Sequence, residues 1–328
     1  MSEVTFVCCI EHGRLEAQTV LMLTTLREHA GTMANASVIA VIGRPGPALS
    51  KATRDRLDKL GVAVVHAYQY NDAKWFNFSN KVAAVAYAQE YAKTPVAVWL
   101  DSDVLIAGEP TELALAEDED FAGRCEYLPP AIHAGVSEHI PYWRKVCEIL
   151  DVNFDELPWV DLGWPQCHMK LFFNSGVFAW RRQSSFAHCH RAAFRAMLRS
   201  KIATYEGNIW QAEQVILSLI VVRERLRWRH LSLQYHHMIF QHHLTGPGAS
   251  PSMTASKVIH YSKSLDPPFD KTMLERLENE LPAVHKAVLA SRADGGVPSS
   301  RRPKSLLNLM RHGRLRSFVA LSRRAPRG

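Results

Sequence analysis

The chain has 328 residues with 47% hydrophobic and 22% charged, values of a globular protein able to bury a core as one large α/β domain or two ordinary ones. Its longest largely apolar run, Val215 to Val222 with Ser218 inside it, falls far short of the roughly 20 residues that cross a bilayer. The formal charge of +7 belongs to the C-terminal end: residues 299–328 hold nine Arg or Lys and no acid, so residues 1–298 carry −2.

Six cysteines without a Cys-x-x-Cys pair exclude a zinc ribbon and a small disulfide framework, and Cys8 and Cys9 read as buried thiols. The N-terminal apolar run, Val4 to Ile10, lacks a basic flank and stops at Glu11-His12, so it reads as a first strand rather than a signal peptide. A cytoplasmic location is expected.

In chain order, that strand leads through Glu11-His12-Gly13-Arg14 to a helical pattern over Leu15 to His29. A strand over Ala36 to Ile42 ends in a Gly/Pro turn, Ser50 caps a helix over Lys51 to Leu60, and Val62 to Tyr68 reads as a third strand. Lys81 to Tyr91 is helical, and Val96 to Ile106 is an apolar run that carries Asp101 and Asp103. Two carboxylates two residues apart on a strand share one side and can hold a hard cation, whose other positions go to water and substrate phosphates. Strands alternating with helices predict a mostly parallel sheet flanked by helices, with ligands beyond the carboxyl ends of the strands.

Farther on, Glu117 to Asp120 reads as a solvated helix end, Phe121 to Tyr127 as a strand, and 128–170 as a long loop with short helical pieces. Within the loop, Asp161 stands between Trp159 and Trp164, either a sugar-facing group or part of a loop pinned by its tryptophans. Leu171 to Trp180 and Arg227 to His237 pattern as strands, Phe186 to Leu198 and Asn208 to Arg223 as helices, and Val258 to Tyr261 as a last short strand. Asp270 is expected to cap a helix over Lys271 to Ala290, broken at Pro282. His236-His237 and His242-His243 read as structural pairs rather than a metal cluster.

No Gly-x-Gly-x-x-Gly, Walker A or Gly-x-Ser-x-Gly sequence is present. Without a glycine loop, a diphosphate has to be held by a metal bridge and basic side chains.

Four blocks in order resemble GT-A fold glycosyltransferases of the glycogenin and lipopolysaccharide galactosyltransferase family. They are Asn80-Lys81, Val98-Trp99-Leu100-Asp101-Ser102-Asp103-Val104-Leu105, Phe172-Phe173-Asn174-Ser175-Gly176-Val177-Phe178 and Val258-Ile259-His260-Tyr261. The resemblance implies an α/β GT-A domain over 1–294, with a nucleotide-binding half at 1–106 and a sugar and acceptor half at 107–294, followed by a basic tail over 295–328. It also implies a nucleotide-sugar donor, UDP-sugar favoured, retention at the anomeric carbon, and Mn2+ or Mg2+ on Asp101, Asp103 and His260.

By the same resemblance, Lys81 lies near the donor sugar, Asn174 lines the sugar pocket, and Glu213-Gln214 stands where the family has Asp-Gln. Asp266 occupies the place of the family's diphosphate-clamping lysine, with Lys263 a substitute from a neighbouring position, and the first loop lacks the family's base-stacking tyrosine. If the reaction inverts instead, Asp161 or Glu213 is the candidate base. The alternatives are a sugar nucleotidyltransferase and a non-catalytic protein docking through its tail. The tail reads either as a peripheral contact to the inner face of a membrane, at about 1 kcal/mol per basic residue near the lipid, or as a disordered soluble end. No folded basic face with interleaved aromatics points to nucleic acid.

Overall fold

The computed structural model describes residues 4–135, 138–200, 212–244 and 249–293, and residues 310, 311, 313, 314, 316 and 317 of the tail. Its centre is a seven-stranded sheet in the order β10-β6-β9-β4-β1-β2-β3. These strands are β1 (Val4–Cys9), β2 (Ser37–Ile42), β3 (Val62–His66), β4 (Val96–Leu100), β6 (Phe121–Cys125), β9 (Phe173–Arg181) and β10 (Trp228–His230). Neighbours in the β4-β1-β2-β3 half run parallel, as the strand-helix alternation predicts. The sheet is mixed, because β9 enters antiparallel between β4 and β6.

Alternate residues of the central strands go to opposite faces. Phe6, Cys8, Val96 and Val98 join one buried cluster, with α1 (Arg14–His29) and α2 (Lys51–Lys59) over it. Val7, Cys9, Ala97 and Trp99 join the other, beneath α3 (Ser79–Tyr91), α4 (Ile140–Leu150), α5 (Phe186–Ser200) and α6 (Ala212–Arg223). Burial on both faces is why β1 and β4 read as continuous apolar runs rather than as alternation. Ser50 Oγ accepts from Thr53 N–H and caps α2 as its sequence predicts.

The run 96–106 is not one strand. The chain leaves the central sheet after Leu100, turns through Asp101-Ser102-Asp103, and enters β5 (Val104–Ile106) in a separate three-stranded sheet with β12 (Val258–His260) and β11 (His237–Met238). The polar triplet is a corner between two sheets, and strand period does not set its side chains. The α7 (Asp270–Glu280) and α8 (Pro282–Ala293) pair covers this smaller sheet through Met273, Leu277, Val284 and Val288.

Other expectations are corrected. Arg227 to His237 alternates but splits between β10 and β11, which belong to different sheets. Glu119 and Asp120 are not a helix end: they pair with Arg229 and Arg227 in the lead-in to β6. The 128–170 stretch contains the full helix α4 and a ribbon of β7 (Trp159–Asp161) with β8 (His168–Lys170). Asp270 is the first residue of α7 and pairs with Arg292 at 3.2 Å instead of capping. The expected start of the Asn208 helix and most of the 295–328 tail lie outside the described residues.

Candidate active site

The corner after β4 is fixed from inside. Ser102 Oγ donates to Cys9 O at 3.2 Å and accepts from Thr19 Oγ1 at 3.0 Å, so the middle residue points into the fold. Asp101 and Asp103 face the other way. Asp101 N–H donates to Gly176 O at 2.8 Å, and Tyr261 N–H donates to Asp103 O at 3.0 Å, so each aspartate is pinned by a different sheet.

His260 closes the group from β12, whose antiparallel register sets it opposite Val104. Its Nε2 lies 3.4 Å from Asp103 Oδ1. One ligand atom from each of Asp101, Asp103 and His260 falls within a 4.8 Å cluster, and among the described residues this is the one such group found. Two carboxylate oxygens and an imidazole nitrogen suit Mn2+, and Mg2+ when water fills the remaining positions. The donor set fits the implied cation.

The electrostatics couple the three. Burial pulls the His260 imidazole down, but Asp103 outweighs it and holds the ring above its ordinary range. Burial pushes the Asp103 carboxyl up, and His260 reverses this and holds it low. Asp101 is raised by burial, with Lys81 pulling against that and Asp103 adding to it.

Because β9 runs antiparallel to β4 with Val177 opposite Leu100, its first residues lie at the carboxyl end of β4, beside Asp101. Lys81, in the first turn of α3, reaches this place and is 4% exposed. Its Nζ donates to Ser175 O and Oγ at 2.8 Å each, and lies 3.2 Å from Asp101 Oδ1 and 3.3 Å from Glu213 Oε1. Burial lowers the ammonium, but Asp101 and Glu213 outweigh it, so it stays a cation. Glu213 sits in the first turn of α6, accepts from Ser175 Oγ at 2.9 Å, and leaves Oε2 without a partner among the described residues. Burial pushes its carboxyl up to about 7 against the pull of Lys81. Gln214 Oε1 accepts from Ser175 N–H at 3.3 Å.

Asn174 is held at both ends of its amide. Oδ1 accepts from Gly176 N–H at 2.7 Å, and Nδ2 donates to Glu126 Oε2 at 2.9 Å. Gly176 is required by crowding, since a Cβ there would lie 2.4 Å from His260 Cε1.

Lys81, Asp101, Asp103, Asn174, Glu213, Gln214 and His260 therefore gather around one corner. Asp161 stands apart, exposed on the β7–β8 ribbon and paired with His168 at 2.8 Å. Lys263 is exposed, and its carbonyl accepts from Gln241. Asp266 is matched by Arg14 at 2.7 Å, a cation from the first loop that offsets its charge. Sequence reasoning did not single out Glu126, quoted Ser175 and Gly176 only within the third block, and read His236 as structural.

A Rhodobacterales glycosyltransferase domain model matches residues 6–225. Among solved structures, the galactosyltransferase LgtC in complex with donor and acceptor sugar analogues is similar at 10% identity, over 92% of this chain and 97% of that one, with a TM-score of 0.53. The apo bifunctional glycosyltransferase WbbM is similar at 14% identity, over 87% of this chain and 51% of that one, with a TM-score of 0.50. No curated protein matches the chain. At these identities the structures establish the fold, which is GT-A, and the family match sets aside the nucleotidyltransferase and scaffold alternatives. The chain belongs to the Rhodobacterales glycosyltransferase domain family, and it is a glycosyltransferase.

Proposed function

We propose that this enzyme moves a hexose from a nucleoside diphosphate sugar, UDP-sugar favoured, to a carbohydrate, lipid-linked or protein acceptor, in dependence on a divalent cation. The observation that carries the proposal is the convergence of Asp101, Asp103 and His260 from two sheets within 4.8 Å. A cation bound there would neutralise charge that develops on the departing diphosphate. Residues 1–106 would take the nucleotide and residues 107–294 the sugar and acceptor.

The chain's own groups do the rest. Lys81 brings a fixed positive charge to the Asp101 side of the corner, where it stabilises the same developing charge without reorganising. Asn174 and Gln214, anchored on the start of β9, orient the sugar hydroxyls. Retention fits this arrangement, because the departing phosphate can take the acceptor proton on the face it leaves and no dedicated base is needed. The exposed Asp161 is then not required. Lys263, free of a side-chain partner among the described contacts, can swing toward the diphosphate. A cytoplasmic enzyme with a peripheral tail is the setting in which such a donor is available.

The test replaces Asp103 with Ala and measures Mn2+-dependent donor hydrolysis or transfer over a panel of UDP-, GDP- and dTDP-sugars. Turnover should fall by at least about 10²-fold. Undiminished turnover in D103A would sink the metal role, and a GDP- or dTDP-sugar as the sole substrate would overturn the UDP preference.

A further inference from the structure

The His260 ring presents its two nitrogens to two different neighbours. Nε2 faces Asp103 Oδ1 at 3.4 Å, while Nδ1 lies 3.2 Å from Nε2 of His236. The rings lie 23° from parallel with centroids 5.4 Å apart. His236 is fully buried, at 0% exposure, and its Nδ1 has no hydrogen-bond partner among the described residues. An unsatisfied buried polar atom is costly, so the fold carries a penalty to keep an imidazole at this point.

The backbone explains how the ring arrives. His236 directly precedes β11, which pairs with β12 in the register Met238 to His260. Its neighbour His237 makes a separate bond, Nδ1 to Ser256 Oγ at 2.7 Å. The two adjacent histidines therefore serve different partners, and only His236 meets the metal corner. On another side of His260, Gly176 leaves no room for a Cβ. The His260 ring is confined between a glycine backbone and a second imidazole.

A histidine ligates a metal through a lone pair, so a cation at Nε2 requires the single ring proton on Nδ1. That N–H points at His236 Nε2, which can accept only if His236 carries its own proton on Nδ1, the atom left without a partner. Metal-bound histidines usually donate this second N–H to a carboxylate or carbonyl. Here a buried imidazole takes that place.

We propose that His236 is a positioning residue that fixes the tautomer and ring plane of His260 for cation binding. The proposal rests on the reading that Asp101, Asp103 and His260 hold a divalent cation. Its test is therefore built to fail separately from that reading.

Mn2+ is titrated calorimetrically into the full-length wild type, D103A, His236→Phe and His236→Gln, with the metal-free melting temperature of each recorded. H236F keeps a planar aromatic ring, somewhat larger than imidazole, but removes the acceptor, and should weaken Mn2+ binding about 10- to 100-fold. H236Q returns an amide oxygen near the Nε2 position and should recover most of the affinity. A purely structural role predicts a lower melting temperature with unchanged affinity, and that result overturns the proposal. So does H236Q binding as weakly as H236F while melting like the wild type. If the wild type fails to bind Mn2+, or D103A keeps wild-type affinity, the cation reading falls and the proposal with it. If D103A loses binding while H236F keeps it, only the role of His236 falls. The wild type supplies a readout that needs no variant: with Mg2+ bound, nitrogen NMR of His260 should report a protonated Nδ1 and a bare Nε2, and the opposite tautomer overturns the proposal.

Discussion

Two polar clusters meet at Asp101, and they are built to opposite ends. Around Lys81, each charge faces a partner: the ammonium touches Asp101, Glu213 and both oxygens of Ser175, and it is almost wholly out of solvent. Around His260, two carboxylates share one imidazole, and the Asp101 and Asp103 side chains remain 24% and 28% exposed. The first cluster is an ion network that ties α3, β4, β9 and α6 together. The second is an incomplete donor set at the surface of that network. One cluster spends its hydrogen bonds on the fold, and the other gathers donor atoms of the kind a cation would need.

If that distinction is right, stability and metal affinity should respond to different residues. The largest stability effect is expected from Lys81→Met, which leaves the buried Glu213 and the partly exposed Asp101 without their cation. Breaking a buried pair from one side costs about 3–5 kcal/mol, readable as a shift of the urea midpoint. Mn2+ affinity should hold or rise in the same variant, since Asp101 loses a competing cation. A variant that unfolds no more easily, yet loses Mn2+, would reverse the assignment of the two clusters.

Gly176→Ala should behave the other way. The new Cβ must push the His260 ring aside, an overpacking cost of about 1–3 kcal/mol, while Mn2+ affinity drops by at least about tenfold. Wild-type Mn2+ binding in G176A would mean that the ring position does not matter. The last effect is a change of slope with pH. Glu213 has a folded value of about 7 against an ordinary 4.5, so it takes up a proton on folding. Its contribution is full below about pH 4.5 and is lost as pH rises through about 7. In Glu213→Gln, the fall in stability over that window should disappear, as followed by melting temperature; equal slopes in both proteins would show that Glu213 does not titrate there.

The legible part of the molecule was the part made by local pattern. Val4 to Cys9, Ser37 to Ile42 and Val62 to His66 show as strands because burial on both faces or alternation writes itself into five or six residues. The later half was harder. Arg227 to His237 alternates convincingly, yet its two ends pair with β6 and β12, strands more than a hundred residues apart in sequence. Periodicity cannot say which neighbour a strand finds. Helix α4 exceeds the short helical pieces expected there, because proline and tryptophan among polar groups read as loop composition, although Pro141 is well placed in a first helical turn.

At the site, the sequence by itself determined the residue types: a carboxylate pair, a lysine opening a helix, an Asn-Ser-Gly at the head of a strand, and a late histidine. These blocks, in order, were sufficient to resemble the right fold. Tertiary structure decided which groups act together. The antiparallel entry of β9 brought Ser175 to Lys81 and Asp101, and the parallel pairing of β11 with β12 brought His236 to His260. It also left Asp161 on an exposed ribbon and matched Asp266 with Arg14. Side-chain chemistry is carried by single residues, whereas partnership depends on strand order and register, which long-range pairing alone sets.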